Sequence, residues 1–260
     1  MHKKDSTRTL YKYQIATFAR FWMADGHKVH VLFGTARFEP ADIAIVHVDL
    51  SVVPDAYLDF ARRYPIAVNG RLRDIRKSAF ANNLLEPGDG YSGPAIVKSN
   101  LNFRGIPEFQ LGEAQPPPGD GAPYHIYPDA RLVPEEIHAR DDLVVQKFEP
   151  EMDGELYCVR YMAVMGSYVQ CMRLRSRQQV VNGETCLPDF ENIDPHRDIV
   201  AARERYGLDY GKIDYVVIEG RAVLLDLNKT VGVGNMSTDP VMLAMRRARA
   251  RGLYSYFEES

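Results

Sequence analysis

Two aspartates and an asparagine in the last quarter of the chain carry the strongest chemical signal. In Lys212–Gly234, KIDYVVIEGRAVLLDLNKTVGVG, two apolar strand-like runs place Asp214 at one end and Asp226 with Asn228 at the other. Carboxylate and amide oxygens that converge beside a sheet suit a hard cation, and Mg²⁺ held by few protein oxygens normally has phosphate as its remaining partner. The implied ligand is a nucleotide. Side chains two apart on a strand face the same way, so Asp226 and Asn228 share a face. Asp214 joins them conditionally. A tight two-residue turn at Glu219-Gly220 would pair position 214 with 225 and turn Asp214 away, whereas a three-residue loop of Glu219, Gly220 and Arg221, or a bulge, pairs 214 with 226. The competing reading is a surface hairpin whose Asp and Asn only solvate strand ends.

Other residues could complete such a site. Lys98 ends the apolar run Pro94-Ala-Ile-Val-Lys98 and precedes a small polar loop, Ser99 to Gly105. A lysine at the end of a buried strand is costly unless its ammonium meets an anion. Lys77 lies 21 residues earlier; by itself it reads as a surface lysine. Neither GxxxxGK[ST] nor GxGxxG occurs, which argues against P-loop and Rossmann nucleotide sites. Arg173 and Arg175 alternate on one strand face, either toward a substrate or as a solvated edge. His47 and Asp49 flank Val48 at a strand end, where ligands of open α/β sheets gather. Cys158 reads as a core residue.

The elements that must hold these residues follow from periodicity. Tyr11–Ala24 has helical spacing and ends at Gly26; strands are expected at Val29–Phe33, Ile43–Val48 and Ile66–Val68, with a helix opened by Pro54. This makes a small N-terminal α/β lobe over residues 1–75. A helix at Leu72–Leu85 leads to the Lys98 strand, and Gly112–Pro123 reads as a surface loop. Strands at Leu143–Phe148 and Leu156–Val164 are expected to join across Pro150–Gly154, with Tyr168–Leu174 continuing the sheet. A helix starts at Asp194-Pro195 and stops near Gly207, and another starts at Asp239-Pro240.

Composition bounds the partners. The 260 residues carry a formal charge of −3, with 26% charged and 45% apolar residues. No global charge favours nucleic acid or an anionic membrane. No run reaches membrane-spanning length and no signal-type segment opens the chain, so a cytoplasmic location is expected. Cys158, Cys171 and Cys186 fit reduced thiols. The sequons at Asn228 and Asn235 are taken as chance.

In this order, PAIVKSNLNFRG, LVVQKFEPEMDGELYCVRYMAVMG and KIDYVVIEGRAVLLDLNKTVGVGN resemble the ATP-grasp superfamily of carboxylate-amine ligases, with a glutathione-synthetase-like ATP-binding domain, over roughly 77–234. The resemblance implies an α+β fold in which the N-terminal lobe precedes a two-subdomain ATP-grasp domain (76–260, a small lobe to about 150 and a larger one to about 250) that sandwiches ATP between antiparallel sheets. It implies that Lys77 and Lys98 bind phosphates and that Gln146, Lys147 and Phe148, with Glu149 following, form the hinge reading adenine largely by backbone. Glu155, with Asp153 as rival, would hold the ribose, and Leu225 would pack on the adenine. Asp214, Asp226 and Asn228 would ligate Mg²⁺ or Mn²⁺, Arg160 would steady the transferred phosphoryl group, and Arg173 or Arg175 would hold the substrate carboxylate or acyl phosphate. The implied reaction turns a small-molecule or peptide carboxylate into an acyl phosphate and passes it to an amine; a phosphotransferase or a non-catalytic ATP sensor are the alternatives. A homodimer is compatible with the family's habit. The sequence departs from the family pattern in three places: the glycine-rich loop is reduced to Asn100–Gly105, Asp226 stands for the usual metal glutamate, and Lys229–Gly232 replaces a proline-glycine turn.

Overall fold

The computed structural model describes residues 1–115, 124–233 and 239–258. The expected loop at Gly112–Pro123 lies outside the described residues from 116 onward, as do Gly234 and the sequon at Asn235. Among the described residues no helix is long and apolar enough to cross a membrane.

The N-terminal lobe is smaller than its sequence pattern suggests. β1 (Ile43–Ile45) and β2 (Ile66–Val68) pair in parallel, linked through the helix Asp55–Ala61. The helix Gln14–Ala24 buries Ile15, Phe18 and Trp22, and the Trp22 indole donates to Ala250 O at 2.8 Å. The strand expected at Val29–Phe33 does not form. Chain-terminal groups occupy that segment instead: the Met1 ammonium donates to Leu32 O and Gly34 N to Met1 O. A cavity of about 580 Å³, lined by Trp22, Val29, Val31, Ile43 and Ile45 among others, separates it from β1.

The helix expected at Leu72–Leu85 shrinks to Lys77–Phe80 because both flanks are drawn into extended pairing. Ile75 N donates to Ser51 O and Leu85 N to Val145 O, with bridges Val52–Asp74 and Leu84–Gln146. β3 (Ala95–Ser99), β4 (His125–Tyr127) and β5 (Leu143–Lys147) form a small antiparallel sheet in the order β4-β3-β5. One face buries Ala95, Val97 and Val145 with Leu85 and Val133; the other carries Lys98 opposite Val144 and Ile96 opposite Gln146.

A larger sheet contains β6 (Glu151–Asp153), β7 (Leu156–Met165), β8 (Tyr168–Ser176), β9 (Phe190–Ile193), β10 (Tyr210–Ile218) and β11 (Arg221–Asn228). Its order is β11-β10-β7-β8-β9, with β6 on β7. The sequence expectation joined Leu143–Phe148 to Leu156–Val164 across Pro150–Gly154 in one sheet; the chain instead crosses after β5 from the small sheet to the large one, and that connection contains β6. Met162, Cys171, Ile213, Tyr215 and Leu227 turn one face of the large sheet into the main core, covered by Ile199 and Ala202 of the helix Arg197–Tyr206. That helix stops at Gly207, whose φ of 66° closes it with N–H donation to Arg203 and Glu204 carbonyls. The last helix, Pro240–Arg251, is capped by Asp239 and reaches the opposite face, where Arg249 donates to Gln170.

The β10–β11 hairpin has a two-residue turn, Glu219-Gly220, with φ of 51° and 76°, so Ile218 pairs with Arg221. Tyr215 pairs with Leu224 but Asp214 pairs with Asp226, leaving Leu225 as an extra residue in β11. The bulge, rather than a longer loop, gathers the two aspartates onto one face. A close approach supports this end of the hairpin: a Cβ on Gly211 would lie 2.3 Å from Asn228 O. Gly211→Ala is therefore expected to destabilise the fold by about 1–3 kcal/mol, seen as a lower midpoint in thermal unfolding.

Candidate functional site

Register decides which side chains meet. On the large sheet Asp214 is opposite both Tyr161 and Asp226, and Lys212 is opposite both Ala163 and Asn228. Directly opposed residues share a face, so Asp226, Asp214 and Tyr161 form one row and Asn228, Lys212, Ala163 and Gln170 the next. The small sheet reaches this face through Lys98. Lys77 joins from its short helix, with its Nζ 3.5 Å from an Asp226 oxygen, and Lys212 Nζ is 2.9 Å from Asp214.

Asn100 explains how Lys77 is brought beside Lys98. Its backbone carbonyl accepts from Lys77 N, its side-chain oxygen from Ser78 N at 2.9 Å, and its amide donates to Asp141 O. One residue thus ties the Lys77 turn to the end of β3. Asn82 and Asn83 act similarly at the other end: Asn82 bonds Ala222 O and Leu224 N of β11, while Asn83 bonds Lys147 O and Gln146 Nε2. The sequence reading missed all three, since an asparagine's role as a long-range clip leaves no local pattern.

Electrostatics prepares the cleft for anions. Lys77 and Lys98 are 6% and 9% exposed, and three ammonium groups face two carboxylates. Burial, then the neighbouring Lys77 charge, pushes Lys98 down to about 8, against the opposing pull of Asp226 and Asp214. Burial raises Asp214, with Asp226 adding to the shift and Lys212 opposing it. For Lys212 burial acts downward, but Asp214 and Asp226 outweigh it and the net shift is upward. Tyr124 stacks near Lys98, with Nζ 5.7 Å from the ring centre, and its hydroxyl is raised by burial and by Asp226 and Asp214. The loop after Lys98 turns through three successive left-handed residues, Phe103, Arg104 and Gly105, at φ 44°, 61° and 74°. Two of these are not glycine, and such strain collects in ligand-handling loops.

A metal fits this donor set. Asp226 Oδ1 is buried without a hydrogen-bond partner, and Asn228 Oδ1 accepts only a local bond from Thr230 N at 3.0 Å among the contacts described. No group of three His, Cys, Asp or Glu gathers among the described residues. A cation would therefore rest on two carboxylates and one amide oxygen, leaving most of its shell to water and phosphate.

The remaining expected residues divide. Gln146 faces the cleft, wholly buried, with its Oε1 unpartnered. Leu225 is half-buried at the bulge. Lys147 turns its side chain the other way, 5.0 Å from the Tyr91 ring centre. The hinge backbone differs from expectation: Lys147 N and O bond Asn83 and Phe148 N bonds Pro94 O at 2.8 Å, so these groups are already satisfied. Glu155 is exposed at the β6–β7 turn, while Asp153 pairs with Arg173 and Arg175 at 3.5 and 3.3 Å.

The three arginines do not come to the carboxylates. Arg160 pairs with Tyr215 and Arg173 across the sheet, and Arg175 with Cys158, which places all three on the face opposite Asp214 and Asp226. Arg160 forms a two-oxygen ion pair with Glu151 at 2.9 Å, and Arg173 pairs with Glu191 at 2.6 Å. Lys212, by contrast, lies on the aspartate face of the large sheet. Its position two residues before Asp214 was the signal available in the sequence. The cysteines are free, Cys158 and Cys171 buried.

No family model and no curated protein matches this sequence. Solved structures do. The ATP-grasp ligase PsnB in complex with a minimal precursor superposes with a TM-score of 0.50 at 13% identity, over 98% of this chain and 96% of that one. A RimK domain protein of ATP-grasp type from Sphaerobacter thermophilus gives 0.50 at 13% identity, over 99% and 97%. A D-alanine–D-alanine ligase from Bacillus anthracis gives 0.35 at 14% identity; there the match covers 64% of this chain and spans only 57% of the ligase.

Proposed function

We propose, from the premise that this chain has the ATP-grasp fold, that it is an ATP-dependent, Mg²⁺-requiring ligase that joins a carboxylate to an amine through an acyl phosphate. The observation that carries the reading is Lys77 and Lys98 facing Asp214, Asp226 and Lys212 across the two sheets. Pure structural ion pairing would not account for Lys98, which keeps a depressed ammonium at the end of a buried strand.

In this reading Lys77 and Lys98 bind the phosphates, and Asp226, whose Oδ1 has no hydrogen bond but has the Lys77 ammonium nearby, would hold the metal with Asp214 and Asn228. Mg²⁺ bound there would neutralise charge on the terminal phosphates. With Arg160, Arg173 and Arg175 on the other face, Lys212 is the cation placed to offset charge on the phosphoryl group as it moves to the carboxylate. Gln146 and Leu225 line the nucleobase end; the satisfied hinge groups of Lys147 and Phe148 leave base recognition to side chains and to the segment that follows.

The test is ADP release with Mg-ATP against free amino acids, dicarboxylates and Asp- or Glu-containing peptides, each with and without added amines. Carboxylate-dependent release with a condensed product is expected. A stable phosphorylated product would make the protein a kinase, and tight nucleotide binding without turnover a sensor.

A further inference from the structure

Beyond the lysine–carboxylate site lies a second polar centre, built where the end of β11 meets the N-terminal lobe. The face of β11 that carries Asp226 and Asn228 leads on to Thr230, whose N–H donates to Asn228 Oδ1 and whose hydroxyl donates to Asp49. The other Asp49 oxygen accepts from the Tyr13 hydroxyl at 2.6 Å. Behind this pair, the wholly buried Lys229 gives its ammonium to Leu50 O, and Glu108 accepts from Ser51 N at 2.6 Å while its second oxygen stays buried without a partner. Both hydroxyls on Asp49 are neutral donors. Lys229, on whose charge Asp49 acts, gives its ammonium to a carbonyl. Asp49 and Tyr13 are half-buried, while Thr230, Lys229, Leu50, Ser51 and Glu108 are buried. It is therefore a carboxylate held on both oxygens, connected through Thr230 by two hydrogen bonds to a proposed metal ligand and still part-exposed.

We propose that Asp49 is the catalytic residue that receives the amine acceptor; the proposal rests on the ligase reading above. The acyl phosphate forms on the Asp226 side. The amine lone pair then closes the C–N bond, the carbon–oxygen bond to the phosphoryl group breaks with its electron pair leaving on phosphate, and the proton released by nitrogen passes to the Asp49 carboxylate. Thr230 and Tyr13 fix that carboxylate so that one lone pair faces the incoming nitrogen.

The test uses the carboxylate–amine pair giving the fastest wild-type ADP release, with hydroxylamine as a second, small neutral nucleophile that traps acyl phosphates as hydroxamates. Asp49→Asn is expected to lower amine ligation about 100-fold or more while hydroxamate formation stays within about 3-fold of wild type. Equal loss of both would show that Asp49 only braces Asn228, and retention of both would remove it from the reaction; either overturns the proposal. Should Asp49→Asn fail to fold, as judged by thermal unfolding, Thr230→Val carries the test. It keeps the carboxylate but loosens one anchor, so KM for the amine must rise with hydroxamate formation held, and an unchanged KM overturns the proposal. Absence of hydroxamate from the wild-type protein would instead sink the ligase reading itself.

Discussion

Asp226→Asn is expected to cut ADP release by about 1,000-fold or more, the scale of losing a metal or an electrostatic catalyst, with the fold retained. The substitution keeps the side chain's shape and removes its charge. Asp226 Oδ1 has no hydrogen-bond partner and stands 3.5 Å from the Lys77 ammonium, so the change touches one proposed metal donor and one ion pair. The loss of the pair leaves Lys77, 6% exposed, without its counter-charge. That is expected to lower stability by about 1–3 kcal/mol, the cost of an unsatisfied buried group. Lys77→Met added to Asp226→Asn should recover the stability and none of the activity. ADP release and thermal unfolding measured on the same samples separate the two effects; near-normal turnover in Asp226→Asn would remove Asp226 from the metal site.

Lys98→Met is expected to lower kcat/KM for ATP about 100-fold and to make the protein more stable at neutral pH. The sign follows from the depressed ammonium. Lys98 sits at about 8 in the folded protein against a reference of 10.5, so between those values the unfolded chain binds more protons than the native one. The resulting penalty is present in full below pH 8 and is relieved as pH rises toward 10.5. Removing the lysine removes a penalty of about 3 kcal/mol. The same shift predicts proton uptake when a phosphate restores the Lys98 charge. Nucleotide binding by the wild type should take up protons above pH 8 and none near pH 6. Titration calorimetry in buffers of different ionisation enthalpy reads this directly, and the uptake should vanish in Lys98→Met. Proton uptake that persists in the variant would place the titrating group elsewhere.

The departures from expectation share a physical pattern. Val29–Phe33 has strand composition, yet Leu32 O accepts from the Met1 ammonium and Gly34 N, just beyond it, donates to Met1 O. Leu72–Leu85 has helical spacing, but Ile75 and Leu85 each gain a backbone hydrogen bond in extended form. In both places a distant segment offered hydrogen bonds that a local pattern cannot reveal. The face of the arginines has a related cause: alternation along β8 put Arg173 and Arg175 on a common face, but which face depended on how β7 lay against β8 and β10.

By itself the sequence determined that Asp226 and Asn228 share a face, that Lys212 shares one with Asp214, and that the hairpin needed an odd loop or a bulge to unite them. The first two are consequences of a two-residue strand period and require no partner; the third adds only that the two strands form a hairpin. Only the tertiary structure decided that the turn stays at two residues while Leu225 bulges, that Asn100 draws Lys77 to Lys98, and that Arg160, Arg173 and Arg175 end on the far face. Parity within a strand is local chemistry. Register between strands is set by turns, bulges and contacts distant in sequence, and a shift of one residue exchanges every side chain between the two faces.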